Sequence, residues 1–171
     1  MESAIRKRNL LVQFHIDAAG YVSKESFCIG MKKIFKIGDD SLNHFIDDIF
    51  VLCDGKGMFN AKDDKLNKRE LDFAINAIPE TSSGHIAYDL AEVVFNIINT
   101  NNDQTIDINE FKSYITKILK SIKTHDLKEA FKTLSNNTNG IQKQTFLDYI
   151  VKVINGIVIE EQVPAPVQPE N

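Results

Sequence analysis

This chain of 171 residues has no tryptophan, only two cysteines and no long apolar run. Cys28 and Cys53 stand in apolar helical contexts without metal-ligand spacing, which predicts reduced core thiols in a cytoplasmic protein. No apolar stretch approaches the roughly 20 residues of a membrane-spanning helix, and IRKRNLLVQFHI is too polar for a signal peptide. Because residue 2 is Glu2 rather than glycine, we expect no N-myristoyl anchor.

The chain also lacks the charge of a nucleic-acid-binding surface and the signature of a catalytic site. Its net charge of -4 argues against a nucleic-acid partner and suits a protein that binds cations. No nucleophile or base accompanies the scattered histidines, and no glycine-rich phosphate loop follows a predicted strand. We therefore expect that the protein is not an enzyme. The histidines are His15, His44, His85 and His125.

The most informative stretch is residues 99–110, which read NTNNDQTIDINE. Oxygen-bearing side chains occupy its first, third, fifth, seventh, ninth and twelfth places. These residues are Asn99, Asn101, Asp103, Thr105, Asp107 and Glu110. Calcium takes roughly six to eight oxygen ligands, and a loop that curls once around the ion supplies them at this spacing, with two oxygens from Glu110 and the backbone carbonyl of Thr105. Apolar residues at helical spacing on both sides predict a helix, a loop and a helix.

This segment resembles an EF-hand, and weaker versions of the pattern repeat from about residue 5 to residue 155. The resemblance implies an all-α protein of the calmodulin and troponin C superfamily, with two lobes of paired EF-hands and short antiparallel loop ribbons. Asn99 stands where the family usually has Asp, and Gln104 stands where it has a glycine with positive φ. We therefore expect weaker calcium binding than in a loop without these changes.

The first candidate loop, residues 15–26, keeps the turn and the strand of the pattern but not its ligands. Gly20 falls at the turn and Val22 at the apolar strand place. A single carboxylate, Asp17, together with His15 does not complete an oxygen shell, and a zinc site would need further ligands. This predicts a folded hand without metal.

The second candidate loop, residues 54–70, is five residues longer than the pattern. Leu66 stands at its strand place and Glu70 at its terminal place. The side chains that could hold an ion, together with backbone carbonyls, are Asp54, Asp63 or Asp64, Asn67 and Glu70. The alternative is a solvated loop that binds nothing.

The fourth candidate loop, residues 135–145, contains no carboxylate, and Thr145 stands where the terminal Glu should be. The other ligand places hold Ser135, Asn137 and Asn139. We expect no calcium there. With Gly140 at the turn and Ile141 at the strand, the loop is predicted to pair Ile141 with Ile106 in a two-stranded ribbon that supports the third loop.

The predicted domains are an N-terminal pair of hands at 1–79, a C-terminal pair at 85–158 and a disordered, Pro-rich tail at 160–171. Pro79–Gly84 breaks a helix and is the candidate linker. The apolar run at 156–159 either extends the last helix or folds back into a groove. Asp39–Ser41, and Ser82 or Ser83, are predicted to cap the helices that lead into the second and third loops.

The resemblance implies a calcium-binding protein, a sensor or a buffer, with its principal site in the third loop. In a sensor, binding draws Glu110 inward, moves the following helix and exposes a groove for an amphipathic target helix. The alternative is a calcium-independent subunit resembling myosin light chains, which clamps a partner helix. That alternative explains why three of the loops lack a full set of ligands, but it does not explain the regular ligand spacing of the third loop. A further possibility is that the third loop is a polar surface loop that binds nothing.

Overall fold

The computed structural model describes residues 1–56, 63–118 and 124–156, which form eight helices and four short strands. The helices are α1 (Glu2–Leu11), α2 (Lys24–Phe35), α3 (Asn43–Cys53), α4 (Lys68–Ala77), α5 (Ile86–Ile98), α6 (Ile108–Ile118), α7 (Thr124–Leu134) and α8 (Lys143–Ile154). The strands are β1 (Val22–Ser23), β2 (Lys65–Leu66), β3 (Thr105–Ile106) and β4 (Ile141–Gln142). The fold is therefore mostly helical, as predicted. Within the described ranges no helix combines the length and the apolar character needed to cross a membrane.

The four strands pair as two antiparallel ribbons, each of which joins two loops. In the first ribbon Val22 lies opposite Leu66, and in the second Ile106 lies opposite Ile141. All four side chains are almost fully buried. Each strand thus contributes one apolar residue to the core while its neighbour in the strand is less buried, which is the alternation expected of a β-strand. The predicted pairing of Ile106 with Ile141 is confirmed.

Both halves of the chain contribute several phenylalanines to the core. Phe27 contacts Phe14 and Phe50, with ring centroids 5.6 Å apart in both pairs. In the second half of the chain Phe111 lies 5.9 Å from Phe131, and further rings surround Phe146. Burial of such side chains stabilises the fold by about 1.5–3 kcal/mol each. The short helices are therefore stabilised by packing of their apolar faces into the core rather than by helix propensity.

Helices from the two halves of the chain are in contact. α3 packs against α5 and α6, and α4 packs against α5. The segment before α5 is also tied to the N-terminal helix, because Arg6 Nη2 donates to the carbonyl oxygens of Ile78 (3.2 Å) and Pro79 (2.6 Å). The predicted linker Pro79–Gly84 thus joins helices that touch, while the predicted domain boundaries stay a prediction.

The predicted cap at Asp39–Ser41 is wrong, because α3 begins later. Its N-cap is Leu42, which offers no side-chain acceptor. Asp39 Oδ1 instead accepts from the backbone N–H (3.1 Å) and the hydroxyl (2.6 Å) of Ser41. The aspartate therefore closes a turn ahead of the helix, which is the competing local use of this side chain.

The prediction that Ser82 or Ser83 caps α5 is wrong as well. The N-cap is His85, without a side-chain hydrogen bond. The Ser82 hydroxyl (2.8 Å) and the Ser83 backbone N–H (2.9 Å) donate to Asp89, which lies within the first turn of the helix. The carboxylate thus reaches back to the preceding turn. The Ser82 and Ser83 hydroxyls accept from the N–H groups of Gly84 and His85, which precede the first residue of the helix, so neither serine caps it.

Two glycines in the candidate loops serve different purposes. Gly20 has φ +89°, as predicted for the turn of the first loop. Gly140 is not left-handed; the left-handed residues of the fourth loop are Asn136 and Asn137, with φ of 54° and 60°. A Cβ at Gly140 would come within 2.8 Å of Thr105. Gly140 is therefore required by the close approach of the two strands rather than by a turn.

The last helix does not continue into the apolar run that follows it. α8 ends at Ile154, Asn155 is its C-cap, and Gly156 has φ +71°. A left-handed glycine at this place terminates a helix. Of the two alternatives for 156–159, continuation of the helix through Gly156 is therefore wrong. Residues 157–171, including the predicted disordered tail, lie outside the described residues, as does 119–123, the expected end of the helix after the third loop.

Candidate metal centre

The second loop brings three carboxylates together. Asp54 follows the last residue of α3, and Glu70 lies in the first turn of α4. An oxygen of each lies within 4.8 Å of the other and of an oxygen of Asp63. Asp54 is 2% exposed and Glu70 is 1% exposed, whereas Asp63 is open to solvent. The cluster therefore combines two buried carboxyl groups, Asp54 and Glu70, with one exposed carboxyl group, Asp63.

The backbone of the loop holds Asp54 in place. Its Oδ1 accepts from the N–H of Asp63 (3.2 Å), and its Oδ2 accepts from the N–H of Asp64 (2.9 Å). Asp64 is left-handed, with φ 62°, a conformation that aspartate tolerates better than most residues. The loop therefore curls back over the carboxylate that begins it.

The other buried carboxylate belongs to a reciprocal capping arrangement. Glu70 N–H donates to Asn67 Oδ1 (3.0 Å), and Asn67 N–H donates back to Glu70 Oε2 (3.2 Å). Asn67 Nδ2 also donates to Glu70 Oε1, at 3.2 Å. This capping box fixes the first turn of α4 and aims the carboxylate towards the loop.

Burial raises the pKa of Glu70 above its ordinary value. The backbone N–H groups of Asn67 and Gly55 oppose this effect, and the negative charges of Asp54 and Asp63 add to it. A carboxyl group that is disfavoured as an anion is one that a bound cation would stabilise. The electrostatics of the second loop therefore favour a positive ligand.

The third loop begins with Asn99, an amide whose oxygen accepts from no donor in the part of the chain that the structure describes. Asn99 is 8% exposed, and its Nδ2 donates to the carbonyl oxygen of Asp103 at 2.6 Å. Since a carbonyl only accepts, this bond fixes which end of the amide is nitrogen. Asn99 Oδ1 is buried and has no donor among the described residues. Burial of an unpaired polar atom is unfavourable, so this oxygen is available to a ligand.

Glu110 occupies the terminal place of the third loop and is 6% exposed. Its Oε1 accepts from the backbone N–H of Thr100 at 3.1 Å, and its Oε2 accepts from the N–H of Asp107 at 2.9 Å. The N–H of Glu110 donates to Asp107 Oδ1, also at 2.9 Å. Asp107 and Glu110 thus cap α6 in the same reciprocal way as Asn67 and Glu70 cap α4.

The remaining predicted ligands stabilise the turn of the third loop. Asn101 Oδ1 accepts from the N–H of Asp103 (3.2 Å), and Asp103 Oδ1 accepts from the N–H of Thr105 (2.9 Å). Within the described residues, the three carboxylates of the third loop form no group as close as the one in the second loop. The six predicted ligands therefore all lie in the third loop, but the acidic side chains that lie closest together belong to the second loop.

The expected strain at Gln104 is absent. Gln104 is not left-handed; the left-handed residue of the third loop is Asn102, with φ 56°. Asparagine is one of the few residues that adopts this conformation readily. The Gln104 carbonyl oxygen instead accepts from the N–H of Lys143, at 3.1 Å, beside the second ribbon.

The ligand places of the first and fourth loops are occupied by local hydrogen bonds. Asp17 Oδ1 accepts from the N–H groups of Ala19 and Tyr21, both at 2.9 Å, and stays exposed with His15. In the fourth loop the Ser135 hydroxyl donates to a helix carbonyl. Among the described residues neither loop contributes to a carboxylate cluster. The two loops contain the strands β1 and β4.

Compared with known proteins, the chain matches no protein-family model and no curated protein. The resemblance of the loops to EF-hands therefore stays a prediction that rests on the residues of this chain.

Proposed function

We propose that this protein binds divalent cations, calcium above all, in its second and third loops. The observation that carries the proposal is the buried Oδ1 of Asn99, which has no donor among the described residues and lies at the first ligand place of an oxygen-lined loop. The side chains there offer oxygen and no sulfur or imidazole. Such a donor set suits a hard cation.

The second loop supports the proposal independently. Asp54, Asp63 and Glu70 place three carboxylate oxygens within 4.8 Å of one another, and Asn67 lies beside them. Converging carboxylates repel one another unless a cation or a proton intervenes. This loop is therefore proposed as a second cation site, in addition to the principal site in the third loop.

The finer architecture that we propose is two pairs of EF-hands. The pairing of β1 with β2 and of β3 with β4 joins the first loop to the second and the third to the fourth, which is the arrangement the resemblance implies. In each pair one loop has a set of oxygen ligands and the other supplies mainly a strand. On this proposal each pair would form one lobe, with residues 79–84 between them.

We further propose an amphipathic helix of another protein as the target. Glu110 spans the two ends of its loop, because it accepts from Thr100 at one end and from Asp107 at the other. A cation that recruits this carboxylate would compete with those donors and shift the first turn of α6. Tyr114 and Ile115 on that helix are buried in the core, so the shift would expose apolar surface.

The test is a calcium titration of the full chain by calorimetry in about millimolar magnesium, because physiological cation sites must discriminate between these ions. Wild-type protein is compared with Glu110→Gln and Glu70→Gln, each of which removes one buried carboxylate. Glu129→Gln, an exposed glutamate on α7, is the matched control. We expect two binding events, loss of one in each loop variant and retention of both in the control.

If wild-type protein gives no heat and no change in helicity up to millimolar calcium, the proposal fails. The light-chain-like alternative would then lead. It predicts a partner helix that stays bound when calcium is chelated.

A further inference from the structure

Lys56 connects the beginnings of the two candidate cation loops. It lies two residues after Asp54, where the second loop leaves α3. Its Nζ donates to the carbonyl oxygen of Ile97, 3.3 Å away, two residues before Asn99 opens the third loop. One side chain thus spans from one loop to the other across the contact between α3 and α5.

The Ile97 carbonyl is a suitable acceptor because it belongs to the last turn of α5. The last four carbonyls of a helix have no N–H partner within the helix, and the negative end of the helix dipole lies there. Phe95 O is satisfied by the N–H of Asn99, at 2.9 Å. Lys56 provides a charged donor for Ile97, so it stabilises the end of the helix that positions Asn99.

The pKa of Lys56 depends on charged groups around the third loop. Burial and the neighbouring charge of Lys117 lower the pKa of Lys56, while the negative charge of Glu110 acts in the opposite direction. Lys56 is half-buried, so solvent screens these interactions less than at the surface. The geometry of the bond to Ile97 therefore places the positive charge of Lys56 at the start of the third loop.

We propose that Lys56 is an electrostatic link between the two loops, and that a divalent cation in the third loop weakens this link. The inference rests on the proposed cation site and names its regulation. A cation bound in the third loop repels the Lys56 ammonium at the start of that loop and so loosens its bond to Ile97. Because coupling free energies are reciprocal, Lys56 must in turn lower the affinity of the third loop for the cation.

The size of the coupling follows from Coulomb's law. A lysine charge roughly 10 Å from a divalent ion, at a dielectric constant near that of water, changes the affinity about fourfold. The link therefore makes contact between the halves of the chain depend on occupancy of the third loop. Cation binding would relax the start of the second loop against α5.

The test compares full-length Glu70→Gln protein with and without Lys56→Met, so that only the third loop titrates with calcium. We expect Lys56→Met to bind calcium about fourfold more tightly, because it removes a positive charge near the third loop. Lys56→Arg keeps the charge and should keep the affinity. A purely structural role would lower stability without raising affinity.

Lys112→Met is the matched control, because Lys112 is an exposed lysine two residues after Glu110. Its effect on affinity should disappear in about 1 M salt, where charges are screened beyond roughly 3 Å, whereas the half-buried Lys56 should keep a larger part of its effect than Lys112 does. Calcium binding that Lys56→Met leaves unchanged or weakens overturns the link but not the proposed function. Absence of third-loop binding in wild-type and Glu70→Gln protein overturns both.

Discussion

The second and third loops use the same framework around different first residues. In both, the terminal glutamate lies in the first turn of the following helix and forms a reciprocal pair of hydrogen bonds with the residue three positions earlier, in which each backbone N–H donates to the other residue's side-chain oxygen. The pairs are Asn67 with Glu70 and Asp107 with Glu110. The position of the terminal carboxylate is thus set by helix capping, whichever residue begins the loop.

The loops differ in how the first residue meets the loop backbone. Asp54 accepts N–H groups from Asp63 and Asp64 with both oxygens. Asn99 donates to the Asp103 carbonyl and leaves its own oxygen without a donor among the described residues. The Asp54 carboxylate therefore binds two N–H groups of its loop and brings negative charge there. The Asn99 amide instead forms one hydrogen bond through its nitrogen and leaves its buried oxygen as an acceptor.

The largest expected effect tests whether the ribbons behind the two loops are equivalent. Leu66→Ala and Ile106→Ala each remove a fully buried side chain from one ribbon and should each destabilise the protein by about 2–4 kcal/mol. Urea unfolding followed by circular dichroism measures both. Ile108→Ala, at a residue that is 38% exposed, is the control and should change little. A much smaller loss for one ribbon would show that the loops are not supported alike.

Exchange of the first residues should reverse the difference between the loops. Asn99→Asp adds an anionic oxygen at the start of the third loop and should raise its calcium affinity about tenfold. Asp54→Asn removes the charge that two N–H groups stabilise and should weaken the second loop by a similar factor. Calorimetry of the two variants and of the double exchange gives both values. Unchanged affinity in Asn99→Asp would contradict the importance assigned to that place.

The smallest effect concerns pH. Because the pKa of Glu70 in the folded protein is raised above its ordinary value of 4.5, calcium-free protein should gain stability from this group as pH falls through the raised pKa towards 4.5. Glu70→Gln should lose this dependence. Proton uptake at Glu70 should also weaken cation binding in the second loop over the same range, as thermal unfolding with and without calcium would show.

Asp89 supplies the opposite control for the pH experiment. Burial acts to raise its pKa, but the hydrogen bonds from Ser83 and Ser82 outweigh burial and lower the pKa. Its stabilisation is therefore present above its ordinary pKa and is lost as pH falls through the lowered value. A wild-type stability that falls steadily from pH 7 to 4.5, with no difference from Glu70→Gln, would contradict the effect assigned to Glu70.

Apolar spacing predicted the helices that flank the loops, whereas the strands were placed by the repeated pattern of the EF-hand-like loops. Val22, Leu66, Ile106 and Ile141 each follow a polar turn and precede a helix, and a residue in that place must enter the core. The first residues of the helices were harder to predict, because Asp39 and Ser83 could each either cap a helix or form hydrogen bonds within the preceding turn. Sequence alone does not decide between capping a helix and closing the turn in front of it.

The candidate site was predicted less completely than the fold. The regular spacing of the third loop identified its six oxygen side chains, but spacing could not show that Gln104 avoids the left-handed conformation while Asn102 adopts it. The closeness of Asp54, Asp63 and Glu70 depends on how an irregular loop folds back. Such convergence arises from backbone donors to Asp54, which no periodic pattern encodes.

Gly140 places an evolutionary constraint on a loop that has no ligands of its own. Any Cβ there would press on Thr105 and push the fourth loop away from the third. Random mutagenesis coupled to selection for cation binding should therefore reject nearly every substitution of Gly140, while exposed Asn139 beside it should vary freely. The invariant residues of such a protein would then include one whose importance lies wholly in its missing side chain.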